Sequence, residues 1–296
     1  MTFPIFKKTS LAEKIFIIAA LLVVGFILSA VVGVAITFVS RSNALTELGM
    51  LRISQISSQL LIFVVPPILY ACLVKEKPVK SLGFNSIPLW SLLGIVMMFA
   101  ISPVNNIFAE WNSRLTLPES MATFEKMIKA LQEEATQLTD TMLNVNNVSG
   151  LIINLIMIAG LAAFGEELLF RSLLQPFLIK SCKNIHIGVF ITSVIFSLVH
   201  FEFYGFLPRL VLGLLLGYMF YYSRSIWVPM IMHFVNNGTV VVIYFLNNKG
   251  ITNIDVETFG QAKLLPLILS IAVMIGLFYV VIRCYNKNVK TEDCQK

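Results

Sequence analysis

The chain has 296 residues, of which 57% are hydrophobic and 13% charged, with a formal net charge of +6. Soluble domains carry about 25% charged residues, so this balance and a mean hydropathy of +0.83 exclude an ordinary soluble globule. The basic residues sit at the ends of apolar runs, and no basic cluster is interleaved with aromatics, which argues against a nucleic-acid partner.

Apolar runs predict eight spanning helices, at residues 15–39, 56–74, 88–108, 149–180, 185–203, 207–222, 226–246 and 264–283. A span needs about 20 apolar residues. The predicted class is therefore all-α: one polytopic membrane domain over residues 1–296. A signal peptide has an apolar core of only about 7–15 residues, so the first run reads as a retained helix. Pro66-Pro67 predicts a kink in the second run. Trp90, Trp111 and Trp227 fall at helix ends, where interfacial aromatics belong.

Alternating the loops puts thirteen lysines and arginines on the amino-terminal side, among them Lys7, Lys8, Lys14, Lys75, Lys180, Lys183, Lys290 and Lys296. Seven fall opposite, among them Arg41, Arg52, Arg114, Lys249 and Lys263. The positive-inside rule then places both termini in the cytoplasm of a multi-pass cell-membrane protein. Cys72, Cys182 and Cys284 lie near helix ends on that side and read as free thiols, with no CxxC in the chain. Cys294 has two residues after it, too few for a prenylation box.

The one long loop, 109–148, lies on the outer side. Within it Phe124, Met127, Ile128, Leu131, Ala135 and Leu138 recur at helical spacing. This predicts an amphipathic helix over the outer face, starting near Ser120 and serving as a connector rather than a plug. Asn147-Val148-Ser149 has the form of a glycosylation acceptor, but lies too close to the membrane to be read as one.

The run at 149–180 is unusual, because it holds Glu166, Glu167 and Arg171. Together these would cost about 8–10 kcal/mol in hydrocarbon unless relieved by pairing, a metal or a water-filled cavity. Glu167 and Arg171 are four apart, so they share a helix face and can pair. Glu166 points about 100° away and is left to face the protein interior. A buried packing network is the bland alternative.

Of three histidines, His186 sits at a loop junction and reads as unremarkable. His200 ends one apolar run. His233 lies within another, with Asn237 four residues later on the same face. A lone intramembrane histidine is more often a hydrogen-bonded core residue than a ligand. Two histidines beside two glutamates on neighbouring runs favour a site, since imidazole and carboxylate bind zinc or hold and deprotonate water. Counting about 1.5 Å per residue from the helix ends puts Glu166 and His233 in the cytoplasmic half and leaves His200 too shallow.

Glu166-Glu167-Leu168-Leu169-Phe170-Arg171 fits EExxxR, Phe196 to His200 fits FxxxH, and His233 to Asn237 fits HxxxN. In this order on separate helices they resemble the CPBP family, the CAAX-protease and bacteriocin-processing (Abi) intramembrane endopeptidases. The resemblance covers about 149–246, the expected catalytic core. It implies that Glu166 activates the hydrolytic water, while Glu167 positions the site and pairs with Arg171. His200 and His233 would hold water or metal or polarise the carbonyl. Asn237 would donate to the oxyanion, and Phe196 would pack beside His200. A metal-free glutamate mechanism and a divalent metal (zinc) on Glu166, His200 and His233 both stay open. HExxH is absent, so any metal site draws on separate helices.

The resemblance implies peptide or protein substrates in the membrane: lipidated C-terminal peptides, bacteriocin or pheromone precursors, or membrane-anchored proteins. The small, compact chain without a eukaryotic-looking extension suggests a bacterial plasma membrane. A non-catalytic membrane regulator of the same fold is the alternative. A proton-coupled transporter is disfavoured because no internal repeat is visible. Gly213 and Gly217 form GxxxG and predict close helix packing. Arg209 is expected to snorkel at a helix end.

Overall fold

The structure is a computed structural model describing residues 6, 9–40, 46–255, 260–261 and 264–294; the side chains of 40 and 288–294 are left aside. Lys7, Lys8, Arg41, Lys263 and Lys296, which enter the charge bias, lie outside the described residues, as do the side chains of Lys290 and Cys294.

The chain folds as an all-α bundle. In order it contains α1 (Leu11–Ser40), α2 (Glu47–Val74), the pair α3 (Leu89–Ala100) and α4 (Ser102–Ser113), and α5 (Ala122–Leu143). Then come α6 (Val148–Cys182), α7 (Ile185–Leu198), α8 (Phe206–Ser223), α9 (Trp227–Asn248) and α10 (Leu264–Cys294). Six of these are long and apolar enough to cross a membrane among the described residues, and α3–α4, bent by 43°, adds a seventh if taken as one span. The expected count of eight is thus not reached. The run at 185–203 yields only the 14-residue α7, about 21 Å long.

Local chemistry sets several boundaries. Thr46, Asn147 and Asn184 cap α2, α6 and α7 by accepting from Gly49, Gly150 and Ile187 backbone N–H groups. Asn147 is thereby a helix cap, and Ser149 Oγ donates to it as well. Lys183 and Arg224 take left-handed turns that end α6 and α8. Pro66-Pro67 follows a π-helical stretch over Gln59–Val64, inside one 28-residue helix that starts at Glu47. Arg52 therefore sits within α2 rather than in an outer loop, and its Nη2 donates to Asn154 Oδ1 at 3.4 Å.

The amphipathic helix expected in the outer loop is α5. It starts at Ala122 without help from Ser120; instead Glu125 Oε2 accepts from the Leu117 N–H at 3.3 Å. Its apolar residues Phe124, Met127, Leu131 and Leu138 are exposed, as for a helix laid in an interface. Gly213 and Gly217 let α8 approach its neighbours closely. A Cβ at Gly213 would lie 3.0 Å from Ser193 Cβ, and one at Gly217 2.9 Å from Gln175 and Val189.

Candidate active site

Two π-helical stretches, Leu155–Leu161 and Leu168–Leu174, flank the α-helical turn that carries Glu166 and Glu167. Such wide turns concentrate at functional sites, because each adds a residue and re-aims the side chains that follow. Glu167 and Arg171 are both fully buried and lie 3.0 Å apart, Oε2 to Nε, close enough to pair although the N–H is not aimed along the contact. Arg171 Nη2 donates to Gly213 O at 3.3 Å, and its guanidinium sits 4.6 Å from the centroid of the Phe196 ring.

One turn on, Gln175 Nε2 donates to Gly217 O at 2.9 Å. Glu167, Arg171 and Gln175 thus form a polar stripe at i, i+4 spacing, facing two glycine carbonyls at the same spacing. The GxxxG pattern opens those carbonyls to buried donors as well as bringing helices together.

The two imidazoles converge on Glu166. His233 Nδ1 lies 2.9 Å from Glu167 Oε1, and its Nε2 lies 3.8 Å from Glu166 Oε2. His200 Nδ1 donates to Phe196 O at 2.7 Å, and its Nε2 also lies 3.8 Å from Glu166 Oε2. A carbonyl only accepts, so the His200 proton is on Nδ1 and the Nε2 lone pair of the neutral ring faces Glu166. A carboxylate partner fixes His233 the same way. Phe196 packs edge-on to both imidazoles, 5.0 Å from His200 and 5.9 Å from His233 between centroids.

Asn237 lies one turn beyond His233. Its Nδ2 donates to Ile158 O at 3.3 Å and its Oδ1 accepts from Asn236. The structure therefore brings Glu166, Glu167, Arg171, Phe196, His200 and His233 into one cluster, and ties Asn237 to the π-turn above it. Carboxylate and imidazole are suitable zinc donors. Among the described residues, however, no three His, Cys, Asp or Glu side chains are grouped to hold a metal ion.

In the turn before α9, Ile226 is fully buried in one apolar cluster with Leu168, and its N–H donates to Gly83 O. α6 and α7 join through the Lys183–Asn184 turn. Sixteen residues separate Glu166 from Cys182 and fifteen separate His200 from Ile185, or about 24 and 22 Å. Glu166 is thus near the middle of α6, and His200 lies just past the end of α7 that is away from this turn.

Beyond His200 the chain reverses at Phe201 (φ 53°) and meets α5. Tyr204 Oη donates to Glu125 Oε1 at 3.0 Å, and Lys129 Nζ lies 2.9 Å from the same oxygen. The Lys129 and Tyr204 hydrogen bonds hold the Glu125 carboxyl below its usual range, and the Glu125 bond raises the Lys129 ammonium. Arg209 does not simply snorkel: it pairs with Glu202 in this segment. His186 stays apart, bonded to Tyr218 Oη at 2.8 Å.

Sequence reasoning missed two buried glutamines. Gln175 was legible from its spacing to Arg171. Gln59 lies on the π-turn of α2, with Oε1 unpartnered and 3.4 Å from where a Cβ on Gly165 would sit. Only a polar residue inside an apolar run signalled it.

Spanning helices around a buried cluster of carboxylates, imidazoles and a guanidinium define a polytopic membrane protein with an intramembrane polar site. Residues 148–239 match the family model of the type II CAAX prenyl endopeptidases, Rce1-like, consistent with the CPBP resemblance carried by the three motifs. A relative described as "Uncharacterized protein YpbD" of Bacillus subtilis (strain 168) is 34% identical over 86 residues. That match spans 28% of this chain and 41% of the relative. No solved structure matches.

Proposed function

We propose that the protein is an intramembrane endopeptidase that hydrolyses a peptide bond of a membrane-associated peptide or protein. The observation that carries this reading is the convergence of His200 Nε2 and His233 Nε2 on Glu166 Oε2, each at 3.8 Å. A water entering between them would donate to Glu166 and to a neutral imidazole. Glu166 takes the proton as the water oxygen attacks the carbonyl carbon, then returns it to the leaving amine. The second N–H of Asn237 would donate to the carbonyl oxygen as negative charge develops there. Glu167 and Arg171 act behind this line, fixing the His233 tautomer. Enclosure strengthens each of these interactions.

Lipidated C-terminal peptides and peptide precursors are the substrate classes that the CPBP resemblance favours, in a bacterial plasma membrane with both termini cytoplasmic. Mass spectrometry of membrane and secreted peptides tests the reading, comparing wild type with Glu166→Ala. Peptides that depend on wild type support it. An unchanged peptide profile at equal protein level overturns it in favour of a non-catalytic regulator.

A further inference from the structure

A cavity of about 550 Å³ opens among α1, α2 and α6, and none of Glu166, Glu167, Arg171, His200 and His233 lines it. Four lysines line it: Lys14, Lys75, Lys180 and Lys183. Its walls are mainly apolar, Tyr70, Leu173 and Phe177 among them, and Ser172 also lines it. None of the four lysines makes an ion pair among the described residues. Glu13 and Glu76, the acids beside these lysines in the chain, do not line it.

The level of the opening is set by three helices. α1 begins at Leu11, α2 ends at Val74 and α6 ends at Cys182. The lysines sit within a turn of those ends, where a membrane helix passes from hydrocarbon to headgroups. Burial, followed by repulsion from Lys14 and Lys180, pushes the Lys75 ammonium below its usual value. Unbalanced positive charge above apolar walls complements a ligand with an anionic head and an apolar tail, and basic pockets between membrane helices bind such headgroups.

We infer that this cavity binds an anionic phospholipid, with the phosphate among Lys14, Lys75, Lys180 and Lys183 and an acyl chain against Tyr70, Leu173 and Phe177. Lipid occupancy would brace the junction of α1, α2 and α6 one turn from Arg171. The inference does not depend on the protease reading, since its readout is lipid retention.

The test is native mass spectrometry of the full-length protein after exchange into vesicles of phosphatidylglycerol or phosphatidylcholine. Wild type is expected to retain one phosphatidylglycerol selectively, and excess inorganic phosphate is expected not to displace it. Lys75→Gln/Lys180→Gln should weaken retention about 30-fold, at about tenfold per 1.4 kcal/mol and about 1 kcal/mol per lysine near a charged surface. Lys126→Gln/Lys249→Gln removes equal charge elsewhere and should leave retention unchanged. A monodisperse, helical double variant that retains phosphatidylglycerol like wild type overturns the inference, as does equal retention of phosphatidylcholine. Displacement by inorganic phosphate would assign the lysines to a soluble anion and overturn the lipid assignment. If the double variant does not fold, Lys183→Gln alone, with an expected loss of about fivefold, decides by the same criteria.

Discussion

In the spanning window of α1, 11% of residues are buried against protein; in that of α9 the share is 44%. α10 resembles α1, also at 11%, while α6 reaches 39%. The outer pair is apolar all round and smoothly α-helical, as suits helices whose main neighbour is lipid. α6 is interrupted by two π-stretches and carries the buried Glu167–Arg171 pair. The comparison teaches that the apolar composition of this chain hides two kinds of helix. One kind satisfies the membrane. The other is shaped by its neighbours and holds the polar atoms that the membrane would reject.

Substitutions in the two classes should separate accordingly. The largest effect is expected at Glu166→Gln. Loss of a general base lowers rates about 10²–10⁴-fold, and turnover of a peptide found by comparative profiling measures it, with protein level and thermal stability unchanged. Next is the pair behind it. Arg171→Met leaves the Glu167 carboxylate buried without its partner and should cost about 3–5 kcal/mol, read as a lower unfolding midpoint in detergent. Arg171→Met/Glu167→Gln should recover much of that loss, because no charge is stranded.

Glycine substitutions sharpen the contrast. A Cβ at Gly188 would lie 2.7 Å from the backbone of Ile179, whereas one at Gly276 in α10 meets nothing within 4 Å. Gly188→Ala should therefore destabilise by about 1–3 kcal/mol. Gly276→Ala should be neutral by the same thermal assay, and a comparable loss at both positions would erase the distinction.

The smallest effect is expected where α5 meets Tyr204. The Glu125 carboxyl is held below its ordinary 4.5, so the free energy it contributes is present above that value and lost as pH falls through the lowered one. Lys129 is raised above 10.5, so its share is lost only as pH rises through the higher value. The protection of α5 amides, as hydrogen exchange relative to the intrinsic rate at each pH, should then be flat from about pH 5 to 9 and fall as pH drops through the lowered Glu125 value. Glu125→Gln should raise exchange at neutral pH.

Much of this was legible in the chain. The apolar runs located the spans, and the i, i+4 spacing of Glu167 and Arg171 announced their pairing. The amphipathic α5 followed from its periodicity. Span number was not legible. α7 stops at Leu198 because the chain turns at Phe201, and the turn before α9 is fixed by the Ile226 N–H donating to Gly83 O. Both are tertiary choices that no single run encodes. Two of the π-turns left a trace, in Pro66-Pro67 and in Pro176, which follow them by two residues, and Gln59 stayed hidden because its importance comes from Gly165 on another helix.

The most direct test of the central claim uses purified protein in vesicles, given the membrane peptide fraction of cells that lack it. Mass spectrometry counts the new peptide termini produced by wild type and by Glu166→Gln. The Glu166–His200–His233 arrangement predicts new termini with wild type and about 100-fold fewer with the variant. Equal numbers of new termini with both proteins would contradict it.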